Sequence, residues 1–157
     1  MKKNKYDTIA IGGTFSVIHK GHIKLMIKAF EISSKVIIGL TSDSLVHKMK
    51  KVKKVIRYQI REKNLKTFLN QKDLLGRAEI VPLYDFSGPT TREENIEAVV
   101  VSNETVNNAY KINTIRKSKG FSPLDIIVIE MELTGDGEPI STTRILKKEI
   151  DEQGNKL

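Results

Sequence analysis

Apolar residues along this chain alternate between two rhythms. Short continuous apolar runs, of the kind a strand buried on both faces shows, occur at residues 7–12, 35–40, 78–83, 98–101 and 126–130. Between them lie stretches with near-helical spacing: Ile23, Met26, Ile27 and Phe30 within 21–33, Ile60, Leu65, Phe68 and Leu69 within 57–71, and a polar-faced stretch over 104–119 closed by Gly120. Gly88-Pro89 marks a turn, and the spacing of Thr91 and Glu94 predicts a capping box opening a short helix before 98–101. A last helix is predicted over about 141–151, after Gly137 and Pro139 end the extended stretch before it. Five strands alternating with helices predict an α/β fold, a single-domain doubly wound five-stranded parallel sheet. One domain is expected over 1–157, with its core over about 7–151.

In such sheets ligands bind beyond the carboxyl ends of the strands, where the strand order reverses, so chemistry is sought there. The first strand runs into Gly12-Gly13-Thr14-Phe15-Ser16-Val17-Ile18-His19-Lys20-Gly21-His22. Glycines let a backbone approach a phosphate closely, and two histidines three apart at a helix start share a face beside the positive end of its dipole. Gly12, Gly13, His19, Gly21 and His22 are therefore candidate phosphate-binding residues. Near the other end, Ser141-Thr142-Thr143-Arg144 offers hydroxyls, helix-start amides and a guanidinium fork.

Charge sharpens the picture. The formal net charge is +8, yet residues 44–77 hold 11 Lys/Arg against Glu62 and Asp73, so this segment carries +9 and the remainder −1. Such a local excess suits a site for phosphates, or else a solvated lysine-rich loop. The chain has no cysteine, so disulfides and thiolate metal sites are excluded and any metal must take oxygen or imidazole ligands. Glycines interrupt the apolar run after the basic N-terminus, and no stretch approaches the ~20 apolar residues of a membrane span. A soluble, cytoplasmic protein is expected.

The first motif resembles the H-x-G-H signature of the nucleotidyltransferase superfamily, G-G-T-F-D followed by two residues and H-x-G-H, with Ser16 where Asp is usual. The segment 138–144 resembles that superfamily's I-S-S-T-R segment, and Tyr58-Gln59-Ile60-Arg61 its Y-x-x-R. Gly39-Leu40-Thr41-Ser42-Asp43, Asp85-Phe86-Ser87-Gly88-Pro89, Ser102-Asn103-Glu104-Thr105 and Asp136-Gly137-Glu138-Pro139-Ile140 further resemble the archaeal type of pantetheine-phosphate adenylyltransferase, over about 7–151. That resemblance implies a Rossmann-like nucleotidyltransferase fold and adenylyl transfer from ATP to 4′-phosphopantetheine, with magnesium carried on the ATP phosphates and no protein metal site. It implies roles for Thr14, His22 and Lys48 in catalysis. His19, His22 and 141–144 would bind the nucleotide, and Thr14, Lys48, Arg61, Ser102, Glu104 and Thr105 the acceptor. Alternatives are a cytidylyltransferase acting on an alcohol phosphate, which Ile140-Ser141-Thr142-Thr143 also resembles, and an FAD synthetase. Outside catalysis stand a nucleic-acid-binding module, motivated by the lysines but lacking a binding motif or stacking aromatics, and a silent nucleotide sensor, motivated by Ser16.

Overall fold

A computed structural model describes residues 5–16, 18–49 and 56–130. The second nucleotide segment, 141–144, and the predicted last helix lie outside the described residues. So do Lys50, Lys51, Lys53 and Lys54.

The elements are β1 (Tyr6–Gly13), α1 (Lys20–Ile32), β2 (Ser33–Thr41), α2 (Asp43–Met49), α3 (Tyr58–Gln71), β3 (Ala78–Leu83), β4 (Ala98–Ser102), α4 (Val106–Ser118) and β5 (Asp125–Ile129). Among the described residues the strands form one parallel sheet in the order β3-β2-β1-β4-β5. The chain winds outward through β2 and β3, then returns to the other side of β1 to lay down β4 and β5. The reversal lies between β1 and β4, the place where a crevice opens above a doubly wound sheet.

The continuous apolar runs have their cause in two covered faces. Met26, Ala29 and Phe30 of α1 and Leu65 and Leu69 of α3 bury against Ile9, Ile11, Val36, Ile38 and Leu40. On the other face Ala109 and Ile112 of α4 cover Ala10, Ile37 and Val99. α1 passes directly into β2. Near its end the Ala29 carbonyl accepts from the Ser33 hydroxyl at 2.7 Å and the Phe30 carbonyl from Arg77 Nη2 at 2.6 Å, and the same Nη2 donates to the Ser33 carbonyl at 2.5 Å, tying the helix end to the start of β2. Pro82 is tolerated because β3 is an edge strand.

Two local expectations are corrected. The stretch after β2 is not wholly loop: Asp43–Met49 is helical, with the Ser42 hydroxyl accepting from the Leu45 amide at 3.2 Å as its cap, and Lys48 stands in its last turn. No helix follows Thr91. Instead Gly88–Thr91 is a short 3-10 helix, and the carbonyls of Glu93, Glu94 and Ile96 are taken by Arg116 rather than by a helical ladder. α4 ends as expected: Gly120 adopts φ 79° and the Phe121 amide returns to the Arg116 carbonyl at 2.9 Å.

Candidate active site

The carboxyl ends of β1, β2, β3 and β4, the start of α1 and one side of α4 enclose a cleft of about 390 Å3. That volume is within the range of small-molecule sites. One end is polar, formed by Gly12, Gly13, Thr14, His19, Gly21 and His22; the rest is largely apolar, with Leu45, Leu83, Phe86, Pro89, Val101, Ala109 and Ile112.

The polar end is built by β1 handing its chain to α1. His19 is the N-cap residue: its Nδ1 accepts from the Gly21 and His22 amides at 3.1 and 3.4 Å. His22 closes the reciprocal bond, its Nδ1 accepting from the His19 amide at 3.3 Å. Histidine thus does here what Ser and Glu do in an ordinary capping box. Because each Nδ1 is an acceptor, the proton of each neutral ring must sit on Nε2, so both histidines present an N–H donor away from the backbone. The rings stack, centroids 3.7 Å apart and planes 17° apart. Burial pushes the His19 imidazole down to about 4. It is therefore a neutral donor at physiological pH. Phe15 supports the pair from below, its ring 4.8 Å from that of His22. It is buried with φ 50°, a conformation a bulky residue adopts only when its surroundings compel it.

The floor on the α4 side depends on one leucine and three glycines. Leu83 lies across Gly12, Gly39 and Gly88: a Cβ on Gly39 would stand 2.6 Å from its Cδ2, one on Gly12 3.3 Å from its Cδ1, and one on Gly88 would overlap it outright. Gly88 also adopts φ 50°. The turn carrying it is tied by Asp85, whose Oδ1 accepts from the Ser87 and Gly88 amides at 3.0 and 2.7 Å and from the Ser87 hydroxyl at 2.9 Å. These bonds hold the Asp85 carboxyl below its usual range, the Gly88 amide contributing most.

A model of the cytidylyltransferase-like family matches residues 10–148. The phosphopantetheine adenylyltransferase of Methanothermobacter thermautotrophicus is 43% identical over 98% of this chain and 91% of its own. That of Methanosarcina mazei is 45% identical over 93% and 94%. This chain belongs to the phosphopantetheine adenylyltransferases of that family. Among solved structures, a protein of unknown function from Archaeoglobus fulgidus aligns with TM-score 0.70 and 32% identity over 78% of this chain and 88% of its own.

Gly12, Gly13, Thr14, His19, Gly21, His22, Ser102, Glu104 and Thr105 all border the cleft. Ser102 and Thr105 face one another across the turn after β4, hydroxyls 3.2 Å apart, with the Thr105 oxygen also taking the Ser102 amide at 3.2 Å. Lys48 is exposed and does not line the cleft. Arg61, expected at the acceptor, lies behind the wall with 0% exposure. Its Nε donates to the Ile56 carbonyl at 2.7 Å, Nη1 to the Thr14 and Thr41 carbonyls at 3.0 and 2.7 Å, and Nη2 to Asp43 at 2.8 Å. A guanidinium so engaged fixes the loop that carries Thr14 rather than reaching into the cleft. The cleft also takes in residues not expected there from the sequence, among them Leu45, Leu83, Asp85, Phe86, Ser87 and Asn108. The family-like run 85–89 after β3 was the available signal, since it too follows a strand's carboxyl end.

Proposed function

We propose that this protein transfers the adenylyl group of ATP to 4′-phosphopantetheine, yielding dephospho-coenzyme A and pyrophosphate. The observation that carries the reading is the histidine pair, held by its own capping bonds with both Nε2–H groups outside them at the start of α1 in a chain of this family. Donors beside a helix N-terminus suit phosphate oxygens and gain strength as charge develops on them.

In this reaction an oxygen of the acceptor phosphate attacks the α-phosphorus of ATP in line. The bond from that phosphorus to the bridging oxygen breaks, and pyrophosphate leaves with the electron pair. No covalent enzyme intermediate is required, so the protein's task is alignment and charge stabilisation. His19, His22 and residues 141–144 hold the triphosphate. Thr14 faces the attacking phosphate, with Arg61 acting through the Thr14 carbonyl and Lys48 adding positive charge from the end of α2. The uncharged arm of the acceptor, with two amides and a branched methyl pair, suits the apolar part of the cleft between residues 85–90 and α4, where Ser87, Thr90 and Asn108 offer polar groups.

Magnesium is implied by this chemistry. The polar end of the cleft presents N–H donors, which suit phosphate oxygens and repel a cation. Among the described residues no group of three or more His, Asp or Glu could hold a metal ion. Magnesium, when bound, would come in on the triphosphate and offset its charge, while the N–H donors of His19 and His22 address the phosphate oxygens. No helix among the described residues is long and apolar enough to cross a membrane.

The deciding experiment measures pyrophosphate release with ATP and CTP against 4′-phosphopantetheine, glycerol 3-phosphate and FMN. Preference for ATP with phosphopantetheine is expected. Preference for CTP with an alcohol phosphate, for FMN, or nucleotide binding without turnover would each replace the reading with the corresponding alternative.

A further inference from the structure

α4 carries a buried arginine that the chemistry does not use. Arg116 is 1% exposed, and every acceptor it meets is a main-chain carbonyl: Nε donates to Ser122 at 2.8 Å, Nη1 to Thr90 and Glu93 at 2.6 and 3.3 Å, and Nη2 to Glu94 and Ile96 at 3.1 and 3.2 Å. Burying a guanidinium is costly unless its donors are matched, so an arginine at a helical core position is explained by what it binds. Four of its five bonds go to the segment between β3 and β4, whose own main-chain bonds are confined to single turns, and the fifth goes to Ser122 just beyond α4. Lys119, one turn further on, adds a bond to the Thr91 carbonyl at 2.6 Å.

This clamp connects to the cleft through a short chain of bonds. Thr90, held by Arg116 at its carbonyl, donates its hydroxyl to the Ser87 carbonyl. The Ser87 hydroxyl meets Asp85, and Ser87, Pro89 and Thr90 form the cleft wall opposite α4. We infer that Arg116 is a positioning residue for acceptor recognition: by gripping residues 90–96 from α4 it fixes the wall against which the acceptor's uncharged arm lies. The inference rests on the adenylyl-transfer reading for the identity of the acceptor, but not for the clamp itself. The triphosphate end, built by β1 and α1, shares none of these bonds. Loss of the clamp therefore reads out selectively on one substrate.

The test compares wild type with Arg116→Met and Arg116→Lys in two measurements. Amide hydrogen exchange on the substrate-free proteins is expected to quicken at least tenfold over residues 87–96 in Arg116→Met, with α1 and β1 unchanged, and to change less in Arg116→Lys. Steady-state kinetics are expected to show the KM for 4′-phosphopantetheine raised tenfold or more while the KM for ATP stays within twofold. Wild-type exchange over 87–96 in Arg116→Met, or equal rises in both KM values, overturns the inference. If Arg116→Met does not fold, Arg116→Lys carries the same comparison with a smaller expected change. If the wild type transfers nothing to phosphopantetheine, the proposed function falls, and the exchange measurement alone decides the clamp.

Discussion

Replacing His19 by Asn separates two jobs that one ring performs. Asn Oδ1 stands the same number of bonds from Cα as Nδ1, so it can keep the bonds from the Gly21 and His22 amides now at 3.1 and 3.4 Å. It has nothing in the place of Nε2. His19→Ala loses both the cap and the donor. An N-cap is worth about 1 kcal/mol, so the alanine variant should be less stable than the asparagine variant by about that amount, or about 3 °C in Tm for a chain of this size. A hydrogen bond to a charged group contributes about 1.5–3 kcal/mol, so both variants should lose turnover by about 10- to 100-fold, partly as weaker ATP binding. Thermal melts and pyrophosphate-release kinetics on the two proteins side by side check both halves. An asparagine variant with near-normal turnover would refute the Nε2–H role. Equal stability of the two variants would refute the capping role.

His19 also makes stability depend on pH. Its folded value of about 4 lies below the ordinary 6.5, so the unfolded chain takes a proton between those values that the folded one refuses. This contribution is fully present above pH 6.5 and is lost as pH falls toward 4, up to about 3 kcal/mol, and denaturant titrations on His19→Asn should show a flatter slope across that window. His22→Ala, losing the partner donor, should lower turnover about 10²-fold or more with the fold intact by circular dichroism; a normal rate in a folded variant would remove it from the mechanism. Ser16, buried beside Phe15, is expected to support an active enzyme, and Ser16→Asp should change turnover by less than about tenfold, or roughly 1.4 kcal/mol. ATP binding without pyrophosphate release until Asp is installed would instead identify a sensor. Gly39→Ala, with its Cβ 2.6 Å from Leu83, should destabilise by about 1–3 kcal/mol, and Leu83→Val in the same chain should recover much of it in chemical denaturation.

The strands were legible because burial on both faces writes them as unbroken apolar runs: β3 spans Ala78–Leu83 as expected, and β1 and β2 differ only at their ends. The histidine motif was legible because its spacing is local. α2 was not, since it is only seven residues long and its two apolar positions, Leu45 and Val46, run straight into the lysine cluster that begins at Lys48, although the Ser42 cap was a usable signal. The failed helix after Thr91 and the placement of Arg61 share a physical reason. Each was decided by a partner remote in sequence, Arg116 taking carbonyls 20 to 26 residues away and Asp43 accepting from Arg61 18 residues on. A local pattern of charge or capping carries no information about such a competitor.

The leucine lying across three glycines makes the order of mutations matter. While Leu83 stays, a Cβ on Gly12 is crowded against its Cδ1 at 3.3 Å, one on Gly39 clashes with its Cδ2 at 2.6 Å, and one on Gly88 overlaps it. Once Leu83 is reduced, the first two become open to alanine, whereas Gly88 stays constrained by its φ of 50°. Sequence drift and deliberate redesign of this side of the cleft therefore share one entry point: the leucine must shrink first, and only then can the neighbouring strand ends explore residues that reshape the cavity.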